Sequence, residues 1–195
     1  MKLMTICMTL FLIIIPVSGF AGNNLILNVT PGIFLYSPDA DGFRVTDGDK
    51  TGEVDGYFTN KATLTAGVGF DTPKLFADLT GGVGYLYNSA FTAEMLLADL
   101  AIRFKIRRDE LTAGPHISVI KYSPKWDGDA DISMSGSTGF MAGLSLTMGS
   151  KEFSIAASLD YLNASFDVEP PGVSLDGGAL DISGLAFQLG ILMRF

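Results

Sequence analysis

The chain has 195 residues, 48% of them hydrophobic and 17% charged, which excludes a disordered polymer and allows one folded domain. Its 23 glycines and sparse charge sit badly with a soluble helical enzyme, and a net charge of −8 excludes a nucleic-acid partner, whose phosphates need a basic surface. The single cysteine, Cys7, excludes an internal disulfide and a thiolate metal cluster.

In chain order, the first element is a leader. Lys2 precedes an apolar run from Met8 to Val17, and small residues follow through Gly19-Phe20-Ala21, the pattern of a secretory signal peptide cleaved after Ala21. The run is about half the ~20 residues that a membrane-spanning helix needs. Residues 1–21 are therefore expected to be removed and 22–195 to form one domain. Losing Lys2 leaves 12 basic against 21 acidic residues, a net of −9.

The remainder reads as eight strands of period-two alternation, at 25–37, 60–71, 75–87, 94–107, 111–123, 138–149, 152–164 and 182–195. In the second, Leu64, Ala66, Val68 and Phe70 alternate with Thr63, Thr65, Gly67 and Gly69. The fourth sets Ala98, Leu100, Ile102, Phe104 and Ile106 against Asp99, Ala101, Arg103, Lys105 and Arg107. In the last, Leu185, Phe187, Leu189, Ile191, Met193 and Phe195 share a face. A soluble sandwich would carry Lys, Glu and Thr on its solvent face, whereas the second face here is mostly Gly, Ala, Ser and Thr. These small residues suit a narrow lumen, and the large apolar set must then meet lipid. The expected fold is all-β, an eight-stranded antiparallel up-and-down transmembrane β-barrel, in which every backbone group is paired without water.

The connections support this reading. Turns at 71–74, 107–110 and 150–151 are short and alternate with the longer connections 38–59, 88–93, 124–135 and 165–179. The four longer connections carry −4, 0, −2 and −3, the whole net charge of the mature chain, so they are expected outside the cell with the short turns in the periplasm. Tyr85, Tyr87, Phe140 and Tyr161 lie towards one end of the strands and Phe70, Phe104, Phe153 and Phe195 towards the other, as interfacial girdles do.

With strand count, loop asymmetry and the terminal ILMRF in place, residues 22–195 resemble the small eight-stranded bacterial outer-membrane barrels of OmpA-type and OmpX-type architecture. The resemblance implies a monomeric, porin-like protein of a Gram-negative cell outer membrane, in contact with outer-membrane lipid and lipopolysaccharide and needing no cofactor. It also implies that Phe195 closes a signal read by the barrel-assembly machinery. Such barrels serve many functions, so the architecture alone selects none.

Chemistry must come from particular side chains. If the 88–93 loop is symmetric, partners on the third and fourth strands sum to about 181, and Asp78 faces Arg103 as a lumen ion pair. A symmetric turn at 107–110 gives sums of about 217, so Asp99 faces Ser118, with His116 one lumen position away. Asp99, His116 and Ser118 are the residue types of nucleophilic hydrolysis, and the His-x-Ser spacing is similar to that of the outer-membrane lipid A deacylases. The strand at 138–149 holds no carboxylate, which leaves Asp99 as the acid. Asp127, Asp129 and Asp131 have the spacing that opens an EF-hand loop, but Ile132 and Thr138 stand where glycine and glutamate are required, leaving only weak divalent-ion capture. Two functions follow as expectations. The first is a non-enzymatic barrel with acidic extracellular loops, serving membrane integrity, surface interaction or small-solute passage. The alternative is a lipid-modifying hydrolase.

Overall fold

The computed structural model describes residues 23–47, 50–56, 59–107, 110–128, 131–169 and 178–195, and the expected leader lies outside them. In chain order the described strands are β1 (Asn23–Tyr36), β2 (Arg44–Asp47), β3 (Lys50–Glu53), β4 (Thr59–Asp71), β5 (Leu75–Tyr87), β6 (Phe91–Arg107), β7 (Leu111–Trp126), β8 (Ser133–Met134), β9 (Thr138–Gly149), β10 (Phe153–Asn163), β11 (Ser165–Glu169), β12 (Ala179–Asp181) and β13 (Gly184–Arg194). Eight of them close a barrel in the order β1-β13-β10-β9-β7-β6-β5-β4, each antiparallel to its neighbours. This is the eight-stranded up-and-down barrel that the alternation implies. Its strands, of 11 to 17 residues, meet or exceed the roughly 9–11 that cross a bilayer when tilted.

The alternating parity decides the two faces. Leu64, Leu79, Leu100, Ile117, Leu144, Leu159 and Leu189 all point outward, and Leu144 keeps 66% of its surface exposed. All eight aromatic residues expected near the strand ends are on this outer face. Such a surface is too apolar for water and finds its solvent in lipid. The inward parity holds Thr63, Thr65, Thr80, Thr112, Ser145 and Thr147, all buried.

Several expectations need correction. β6 starts at Phe91 and β7 runs to Trp126, three residues beyond the alternation-based bounds, so the 88–93 connection shrinks to the turn 88–90. Asn88 closes that turn: its Nδ2 donates to the Asp55 carbonyl (2.7 Å) and to Thr59 Oγ1 (2.8 Å), and its Oδ1 accepts from the Ala90 N–H (3.0 Å). The tighter turn moves the β5–β6 register by two residues, so Asp78 pairs with Ala101 and Phe76 with Arg103. The β6–β7 register does place Asp99 opposite Ser118. In β1 the pairing slips around Pro31, between Val29 and Gly32 on one side and Thr30 and Phe34 on the other, because proline brings no N–H to the ladder.

The long loops also do more than cross solvent. β2 and β3 form a hairpin, and β12, β11 and β8 a small sheet, none of which the alternation foretells. Their apolar residues fold into the barrel mouth. Phe43, Val45, Val54, Phe166, Val168, Leu180 and Ile182 join Phe91, Tyr122, Trp126 and Leu162 from the wall in one buried core. Phe166 meets Phe91 and Tyr122 edge-on, with centroids 6.0 and 5.5 Å apart. The lumen is thus apolar at the long-loop end and polar below.

Candidate functional site

The polar lumen begins near the short turns. Lys105 Nζ on β6 lies 2.6 Å from Asp71 Oδ1 on β4, and Lys151 Nζ from the rim lies 3.0 Å from Asp71 Oδ2. Arg103 Nη1 on β6 meets Asp78 Oδ2 on β5, and its Nε donates to Ser145 Oγ at 2.9 Å. With the register shifted, this pair is diagonal, a spacing that a long guanidinium arm spans. Arg194 on β13 adds its Nη2 to the same carboxylate oxygen at 3.3 Å. Phe76 lies between cations, with Lys105 Nζ 4.2 Å and Arg194 Cζ 4.3 Å from its ring centre. The sequence reading missed Arg194, although its even parity on the last strand placed it inside.

Further in, His116 on β7 stands between two carboxylates. Its Nδ1 is 2.9 Å from Asp99 Oδ1 on β6, and its Nε2 is 2.6 Å from Asp160 Oδ1 on β10. A neutral ring has one N–H, whereas the imidazolium has two and donates to both partners. Ser118 Oγ donates to Asp99 Oδ1 at 2.5 Å. Asp160 Oδ2 also accepts from Ser158 Oγ at 2.7 Å and from Gln188 Nε2 at 2.5 Å. Turn symmetry relates only neighbouring strands, so sequence reasoning does not bring Asp160 to His116. Their contact crosses the strand between them: Gly143 on β9 pairs with His116 on one side and with Asp160 on the other. A Cβ at Gly143 would overlap Asp160 Oδ1, so the absent side chain makes room for the contact. An inward carboxylate in the strand after a glycine-bearing one was the available signal.

This arrangement differs from that of an activated nucleophile. A hydrolytic serine gives its hydroxyl hydrogen bond to the imidazole that takes its proton, whereas Ser118 gives it to Asp99 and both ring nitrogens of His116 face carboxylates. His116, Ser118 and Asp99 also point into the lumen, away from the lipid-facing wall that carries Ile117 and Val119.

At the long-loop end, Asp127 and Asp131 are described and Asp129 lies outside the described residues. Asp127 Oδ1 accepts from Lys125 Nζ at 3.1 Å, and the Thr92 hydroxyl and Lys125 ammonium hold its carboxyl below the usual carboxylate range. The Asp131 N–H donates to Asp47 Oδ2 at 3.3 Å, which ties the third long loop to the first. Among the described residues, no group of three acidic, histidine or cysteine side chains is placed to hold a metal ion.

No protein-family model and no curated protein matches this chain. Among solved structures it is similar to the outer membrane protein OprG from Pseudomonas aeruginosa, at 11% identity and a TM-score of 0.53, over 90% of this chain and 96% of that one. It is also similar to the outer membrane protein AlkL, solved by solid-state NMR in DMPC bilayers, at 13% identity and a TM-score of 0.48, over 91% and 92% of the two chains. At this identity the likeness to OprG is one of fold, the small outer-membrane barrel.

Proposed function

We propose that the chain is a monomeric, integral outer-membrane barrel of a Gram-negative envelope, exported by the leader at 1–21, that performs no bond chemistry. It sits among outer-membrane lipid and lipopolysaccharide, reaches its place through the barrel-assembly machinery, strengthens the membrane and presents its acidic loops to the medium. Membrane integrity and surface interaction fit the geometry better than solute passage. The observation that carries this reading is a lumen closed at one mouth by the apolar core of the loops and crossed below it by ion pairs, with room between for no more than a few waters. The hydrogen bonding of Ser118 weighs against the hydrolase alternative.

Reconstituted in a planar bilayer, the refolded barrel is expected to give no discrete conductance steps. Steady channel openings would refute the closed barrel. Release of fatty acid from lipopolysaccharide by the wild type, lost in Ser118→Ala, would restore the hydrolase reading.

A further inference from the structure

Below the apolar core, a cavity of about 60 Å³ opens between the β1–β4–β5 wall and the His116 cluster, lined among others by Asn28, Lys61, Thr65, Thr80 and Asp99. One water needs roughly 10–15 Å³ of such space, so the cavity takes a few waters or one small ion with its hydration. Lys61 projects into it from β4 and is 2% exposed. Its Nζ has three N–H donors, yet its hydrogen-bond partner is the thioether of Met141, at 3.2 Å, a weak acceptor. Thr65, also 2% exposed, has a hydroxyl with no partner, and so does the Asn28 side-chain oxygen.

The charge balance points the same way. Among the described residues, the lumen holds the carboxylates of Asp71, Asp78, Asp99 and Asp160. Each is met by a cation: Lys105 on Asp71, Arg103 and Arg194 on Asp78, and the His116 imidazolium on both Asp99 and Asp160. Lys61 is the fifth lumen cation and has no carboxylate within ion-pair reach. Asp99 and Asp160 attract it without a hydrogen bond: His116 and Ser118 both hold Asp99 Oδ1, His116 holds Asp160 Oδ1, and Ser158 and Gln188 hold Asp160 Oδ2. Five cations against four carboxylates leave the described lumen with one positive charge in surplus, which is costly when buried, and the hydroxyl-lined cavity beside Lys61 is where a counter-ion would lie.

We propose that this cavity is a binding site for one small monovalent anion of halide size, held by the Lys61 ammonium and the Thr65 hydroxyl. The site is independent of whether the loops serve adhesion or integrity. It makes the folded barrel responsive to the anion present when it folds, because a ligand that binds only the folded state stabilises it.

The test uses the full mature barrel refolded in detergent, in sodium bromide and in sodium sulfate of equal ionic strength. Crystals grown in bromide are expected to show an anomalous peak in the cavity beside Lys61 Nζ. Beyond the general stabilisation by sulfate, which acts on wild type and variant alike, bromide is expected to add about 2–4 °C to the melting temperature. This bromide-specific rise is expected to vanish in Lys61→Met, whose thioether side chain fills the same space without charge. If Lys61→Met does not fold, Thr65→Val replaces it, with a reduced rise and a weaker peak expected. A cavity containing water alone, or a rise of the same size in wild type and variant, would overturn the proposal.

Discussion

At the scale of single residues, a glycine and two arginines decide how the lumen charges meet. Gly143 lets Asp160 reach His116 across β9. Gly143→Ala, whose Cβ would overlap both Asp160 Oδ1 and the Leu159 carbonyl, is therefore expected to part them and leave a buried carboxylate without its cation, at a cost of about 3–5 kcal/mol or more. Ser118→Ala removes one hydroxyl donor and should cost about 1 kcal/mol. Urea midpoints read from the single tryptophan, Trp126, compare the two, and equal losses would mean that the His116–Asp160 contact contributes little. Asp78 carries two guanidiniums, so Asp78→Asn leaves both uncompensated and should destabilise the barrel by about 3–5 kcal/mol. Adding Arg103→Gln should recover only part of this, because Arg194 remains. Strict additivity of the two changes would show that Asp78 and Arg103 do not interact.

At the scale of elements, closure depends on the seam between the first and last strands. β1 pairs with β13 along its length, and the Phe195 N–H donates to the Leu25 carbonyl at 2.8 Å while the Leu25 N–H donates to the Phe195 carbonyl at 3.1 Å. Phe195 itself is 69% exposed on the outer face, so its ring adds nothing to the interior and is free to be read from outside. Deleting Phe195 removes these end bonds and shortens a seam already interrupted at Pro31. The amount of heat-modifiable, folded protein in the outer membrane should fall. An unchanged amount would show that neither the seam end nor the terminal pattern guides assembly.

At the scale of the whole molecule, the two ends of the barrel differ in charge and in packing. The acidic long loops form one end, with the β2–β3 hairpin and the β8–β11–β12 sheet folded over an apolar core, while tight turns form the other. On the proposed orientation the loop end faces the medium. Trypsin added to intact cells should cut after Arg44 or Lys50 and leave Arg107 and Lys151 untouched. Cleavage at the latter two would mean the reverse orientation.

The sequence by itself determined what depends on local periodicity: strand existence, the parity of each wall residue, and hence an apolar outside and a small-residue inside. It also placed Asp99 opposite Ser118, because the β6–β7 hairpin turn is close to symmetric and register follows from the turn. Only the tertiary structure decided what depends on distance across the barrel. Asp160 and Arg194 approach His116 and Asp78 from strands far away in sequence, and no hairpin count reaches them. The two-residue shift of β5 against β6 came from the Asn88 turn, whose partners are Asp55 in the first long loop and Thr59 at the start of β4. The apolar filling of the mouth likewise arose because Phe43, Phe166 and Leu180, scattered through acidic loops without periodicity, gain burial only once the closed wall offers them a common interior.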